Sequence, residues 1–170
     1  MKKITTIILI LIFFSCQSQE CNSNGIINWE SKREIKIYDK PNGIVTAVLQ
    51  NDLENENFLK YKIIGTSKDF LKVNIKLEFD NETKIGWIKK RKDVGIYARN
   101  YEENIDLILY SKPDKNSNKK SVITEYYPDL YQILDCKNDW LYVKLQINEK
   151  IFEGWLQPEM QCPDSYSTCN

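Results

Sequence analysis

Histidine is missing from this chain of 170 residues. Its absence removes the Ser-His and Cys-His nucleophile pairs, the commonest metal ligand and the usual general base near neutral pH. Net charge is missing too, because 24 basic residues balance 24 acidic ones. A balanced chain has no overall footprint for nucleic acid. Glycine is scarce at six residues, and none falls into a phosphate-cradling loop. No Gly-x-Ser-x-Gly occurs, and the single Ser-x-x-Lys spacing, Ser117 to Lys120, sits in a lysine-rich polar loop without partner motifs. The acidic pairs Glu54/Glu56 and Glu102/Glu103 also sit in polar loops, with no apolar pocket to separate their pKa values. These absences point away from an enzyme and from any metal or cofactor.

What is present begins with a leader. Lys2 and Lys3 precede an apolar run from Ile7 to Phe14, and Ser15-Cys16 closes it. The run is shorter than the roughly 20 residues a membrane span needs, so residues 1–15 read as a signal peptide. A small residue and then Cys directly after the run resembles the bacterial lipobox, with Phe13 where Leu is usual. The resemblance implies that Cys16 is lipidated and that residues 16–24 tether the protein to a membrane of the cell envelope. The protein would face the periplasm or the exterior. Removing residues 1–15 takes away Lys2 and Lys3 and leaves 22 basic against 24 acidic residues. With Cys16 set aside, Cys21, Cys136, Cys162 and Cys169 remain, an even set that suits up to two disulfides in an oxidising compartment. Three connectivities are open. The short loop between Cys162 and Cys169 is the easiest to close, and no Cys-x-x-Cys spacing suggests zinc.

From Gly25 onward apolar residues recur at period two, and no long amphipathic helix fits. Strands are expected around Ile35–Tyr38, Val45–Leu49, Leu59–Gly65, Phe70–Leu77 and Ile85–Ile88, with turns at Asp39–Gly43 and Asp80–Glu82. The pattern then repeats. Gly25-Ile26-Ile27 matches Gly95-Ile96-Tyr97, Ile37-Tyr38 matches Leu109-Tyr110, Asp69-Phe70-Leu71 matches Asp139-Trp140-Leu141, and Gly86-Trp87-Ile88 matches Gly154-Trp155-Leu156. The offset stays between 68 and 72 residues and changes only in loops or turns. This is longer than a solenoid repeat and describes a duplicated unit of five short strands, a small β-barrel. Between the copies, Lys89-Lys90-Arg91-Lys92 reads as a solvated junction, with contact to anionic lipid or polymer as its functional alternative.

The strand ending at a Pro-containing turn (Tyr38–Pro41, Tyr110–Pro113), the Asp-aromatic-Leu strand and the Gly-Trp pair together resemble the bacterial SH3 (SH3b) domain. The likeness covers residues 25–92 and 95–162, leaving 163–170 as a C-terminal cap. Phe70 stands where the family often has Trp, and no Asn-Gly or Asp-Gly turn joins the last two strands of either copy. The resemblance implies an all-β protein of two tandem SH3-like barrels. With Leu71, Val73, Leu141 and Val143 turned inward, Phe70, Lys72, Trp140 and Tyr142 turn outward. A shallow groove in each copy would then be lined by Phe70 and Trp87, and by Trp140 and Trp155, with Tyr38 and Tyr110 at the rim. The implied role is non-catalytic binding of cell-wall peptide or another envelope protein. The competing reading is a scaffold in which these rings only pack one barrel on the other. The sequence does not fix an oligomeric state.

Overall fold

Period-two alternation becomes strand after strand in the computed structural model, which describes residues 21–99 and 105–167. The leader, Cys16 and Cys169 lie outside the described residues. The strands of the first half are β1 (Asn24–Ile27), β2 (Ile35–Tyr38), β3 (Val45–Leu49), β4 (Leu59–Thr66), β5 (Phe70–Leu77) and β6 (Lys84–Lys89). Those of the second are β7 (Val94–Ala98), β8 (Leu107–Tyr110), β9 (Lys119–Ile123), β10 (Tyr131–Lys137), β11 (Trp140–Ile147) and β12 (Lys150–Leu156). A 3-10 turn at Pro158–Met160 leads into β13 (Gln161–Cys162), and no α-helix occurs among the described residues.

The protein is all-β, but its hydrogen bonding does not stop between the halves. The strands form one open antiparallel sheet in the order β3-β2-β6-β5-β4-β1-β7-β10-β11-β12-β8-β9, with β13 on β7. The two tandem units expected from the sequence are not separate sheets, and β7 supplies the reason. Its first residues close the first half: Val94 pairs with Ile27 on β1, as Cys162 of β13 pairs with Tyr97 on β7. Its next residues open the second half, Gly95 and Ile96 pairing with Gln132 and Tyr131 on β10. One strand therefore belongs to both copies, and no linker separates them.

Within this sheet the duplication extends to irregularities. The β4–β5 register skips Ile64 and the β10–β11 register skips Leu134. The β2–β3 and β8–β9 hairpins skip Thr46 and Lys120 at matching points. A bulge inserts one unpaired residue and bends its strand, so matched bulges mean matched curvature. The Gly-Trp pairs have a steric cause. A Cβ on Gly86 would lie 2.4 Å from Ile37 Cγ2 and 2.8 Å from the Tyr38 carbonyl oxygen; on Gly154 it would lie 2.9 Å from both Leu109 Cβ and the Tyr110 oxygen. Only glycine lets β2 cross β6, and β8 cross β12, this closely. The missing Asn-Gly turn in the second half is replaced by Asn148, whose φ of 51° supplies the left-handed residue between β11 and β12.

Inward residues of both halves, including Ile37, Ile63, Leu71, Val73 and their counterparts Leu109, Ile133, Leu141, Val143, are buried in one continuous core. A disulfide joins Cys21 to Cys136 across the halves, with their Cα atoms 5.7 Å apart. Beside it the Asn22 N–H donates to the Asn138 carbonyl at 3.0 Å. Cys21 and Ser23 are buried, so within the segment expected to be tether as far as residue 24 these two side chains pack against the fold. Cys162 is also disulfide-bonded. After Pro163 the chain returns to the first half, where the Tyr166 ring lies 5.1 Å from Phe58 and 6.0 Å from Phe79.

Candidate functional site

The second half carries four aromatic residues on the outward face of β8, β11 and β12. Tyr110 and Trp140 meet edge-on, centroids 5.6 Å apart at 83°. Next to them Tyr142 and Trp155, opposite each other across β11–β12, lie 5.3 Å apart at 67°. All four are half-buried, each presenting one part of its ring to solvent. The bulged Lys120 reaches over this group, its ammonium 4.9 Å from the Tyr142 ring centroid. It donates to the Tyr142 hydroxyl and, at 2.7 Å, to Glu153 Oε1. The Tyr142 hydroxyl donates to the same carboxylate at 3.2 Å. The hydrogen bond from Lys120 holds the Glu153 carboxyl below its ordinary range, and the return interaction raises Lys120. Ser121 Oγ caps the Glu153 backbone, donating to its carbonyl at 3.0 Å and accepting from its N–H at 3.2 Å.

The first half repeats the edge-on pair: Tyr38 and Phe70 lie 5.6 Å apart at 85°. Trp87 sits between Tyr38 on β2 and Lys72 on β5 and is half-buried. Phe70, however, is only 2 % exposed. The expectation that it faces outward as a groove residue is corrected: it has outward parity, but Tyr38 covers its edge and the Lys89 ammonium stands 6.0 Å from both rings. Lys72 occupies the place of Tyr142, Ile85 that of Glu153, and Thr46 that of Lys120. The ring-to-ring contacts of Tyr38, Phe70, Tyr110, Trp140 and Trp155 among the described residues stay within their own half. Besides the disulfide and the shared core, polar contacts bridge the halves, with Thr66 Oγ1 donating to Asp135 Oδ1 at 2.7 Å and the buried Tyr61 hydroxyl to the Gly95 carbonyl at 3.3 Å.

The basic run at 89–92 is largely spent on the fold. Lys90 donates to the carbonyls of Ser67 and Lys68, and burial, its largest influence, lowers its pKa. Arg91 donates to both Asp93 carboxylate oxygens and, at 3.0 Å, to the Glu34 carbonyl. Burial pushes the Asp93 carboxyl up, but hydrogen bonds from Arg91 and Ser31 and the Arg91 charge outweigh it and hold the group low.

The cations that remain outward come instead from alternate strand positions, a signal present in the sequence as Lys60-x-Lys62 and Lys72-x-Asn74-x-Lys76. Among the described residues no group of His, Cys, Asp or Glu is arranged to hold a metal. No helix there is long and apolar enough to cross a membrane. Chemically, the second half offers flat rings beside a fixed ammonium–carboxylate pair. No protein-family model, curated protein or solved structure matches the chain.

Proposed function

We propose that the protein is a non-catalytic envelope lipoprotein built from two SH3b-like units fused through β7. Its second half captures cell-wall peptide or another envelope protein. The observation that carries this reading is the half-exposed group Tyr110, Trp140, Tyr142 and Trp155 with Lys120 and Glu153 at its edge. Rigid aromatic rings supply large contact area at low entropy cost and dominate interface energetics. An ammonium and a carboxylate side by side answer the amine and carboxyl groups of a peptide. The competing scaffold reading needs the rings at the seam between the halves, whereas their ring contacts lie within each half. Lipidated Cys16 would hold the fold to the membrane.

Pull-down from purified cell wall and from envelope extract tests the binding face. Trp155→Ala is expected to weaken capture by about 2 kcal/mol, the cost of truncating an interface hot spot. Undiminished capture by that variant, with its fold intact by circular dichroism, rejects the face. Cys16→Ser is expected to release the protein from membranes, and sedimentation with them regardless would reject the anchor.

A further inference from the structure

Charge in the first half is segregated by structure rather than by sequence. Strands β2 to β6 contain lysines and no acidic residue at all. The outward positions carry Lys36, Lys60, Lys62, Lys72, Lys76 and Lys89, while the carboxylates of this half lie outside these strands. Lys60 and Lys76 stand directly opposite each other across β4–β5. Like charges so placed are destabilising. Each is partly relieved, Lys60 by Glu78 and Lys76 by donating to the Asp80 carbonyl at 2.6 Å. Lys36, Lys62, Lys72 and Lys89 have no ion pair among the described residues.

Beside Lys60, Lys62 and Lys76, where β1, β4 and β5 run together, lies a cavity of about 370 Å³ lined by Asn24, Lys60, Lys62, Asn74, Lys76 and Pro163, among others. Asn74 Oδ1 is buried there without a hydrogen-bond donor among the described residues. A fold that tolerates opposed ammonium groups around an unsatisfied acceptor fits a ligand bearing both an anion and a donor.

We infer that this lysine face seats anionic phospholipid headgroups and lays the first half against the membrane. The lysines meet the phosphates, and Asn74 Oδ1 accepts from a headgroup hydroxyl or ammonium. The occupant follows from where the chain is held. Asn24 lines the cavity and follows Cys21, which is fixed to Cys136. Cys16 precedes Cys21 by five residues, a reach of at most about 18 Å when extended. This step rests on the lipid-anchored reading above. So short a tether keeps the face within range of a surface potential that decays over a Debye length of about 8–10 Å. The second half, with Glu153 and Asp135 among its outward residues, has no equivalent set and stays free to engage a ligand.

The test uses the intact chain in vesicles of phosphatidylcholine alone, or with roughly one third phosphatidylglycerol. Lysine acylation is followed residue by residue by mass spectrometry. On anionic vesicles Lys36, Lys62 and Lys72 are expected to react about five-fold more slowly, the factor one lysine–headgroup attraction represents. High salt should abolish the protection, and Lys119 and Lys150 of the second half should be unaffected. The double variant Lys62→Gln/Lys72→Gln, changed only at exposed positions, should return Lys36 to its rate on neutral vesicles. Equal rates on both vesicles overturn the inference, as does protection by soluble polyglutamate but not by lipid. The mass of the Cys16 peptide reports lipidation separately. A bare Cys16 with lysine protection sinks the anchor and keeps the face; a lipidated Cys16 without protection does the reverse.

Discussion

The first half presents Lys62, Lys72 and Lys76 where the second presents Gln132, Tyr142 and Gln146. Inward, the two halves barely differ: Ile37, Ile63, Leu71, Val73 and Ile88 correspond to Leu109, Ile133, Leu141, Val143 and Leu156. The curvature-setting bulges and the crossing glycines correspond as well. Stability is invested on the inward side and at the crossings, where a methyl group matters. Outward positions of a sheet can change charge and shape at little cost, so duplication left two surfaces on one backbone free to diverge. One face is rich in lysine; the other carries aromatic rings with Lys120 and Glu153 paired beside them.

Perturbations can break or sharpen this comparison. The largest effect is expected from removing the tie between the halves. Cys21→Ala with Cys136→Ala opens a covalent loop of 115 residues and should cost roughly 4 kcal/mol in urea unfolding. A loss below 1 kcal/mol would mean that the β1–β7 seam suffices alone. Next come the matched crossings. Gly86→Ala and Gly154→Ala should each destabilise by about 1–3 kcal/mol through overpacking against β2 and β8. If only one of them does, the two crossings are not equivalent.

Trp87→Ala set beside Trp155→Ala separates the surfaces. Only the second should lose about 2 kcal/mol of ligand capture, and equal losses would make both faces part of one site. The smallest effect is a pH dependence confined to the first half's closing turn. Asp93 is held low when folded, so its contribution is fully present above the ordinary carboxylate pKa and is lost as pH falls through the lower folded value. Asp93→Asn should flatten the acid limb of a stability–pH curve, and an unchanged limb would remove Asp93 from that role.

Much of this was legible beforehand. Period-two apolar residues located the strands from Ile35 to Ile88 to within a residue or two, because a half-buried strand cannot hide its alternation. The duplicated Gly-Trp pairs were visible, and their steric reason appeared once Ile37 and Leu109 were seen beside them. The seam was hidden, since nothing in Val94-Gly95-Ile96 distinguishes a strand with one allegiance from a strand with two. Phe70 escaped because parity assigns a direction but not a cover, and Tyr38 arrives from 32 positions away. A balanced total charge hides the strand lysines, because cations spaced two apart make no contiguous run like the one at 89–92. The pairing of Cys21 with Cys136 needed the N-terminal segment placed beside β10, a long-range fact no local pattern carries.

The double allegiance of β7 bears on how such chains could lengthen. A strand that ends one unit and begins another is a connector, and β13 starts the same way, Cys162 taking the place of Val94. After two residues Pro163 intervenes, with no N–H to continue the ladder, and the chain folds back to lay Tyr166 on Phe58. The same backbone step that joined two units is here converted into a terminator. Restoring a β7-like sequence beyond Gln161 would be the natural splice point for a third.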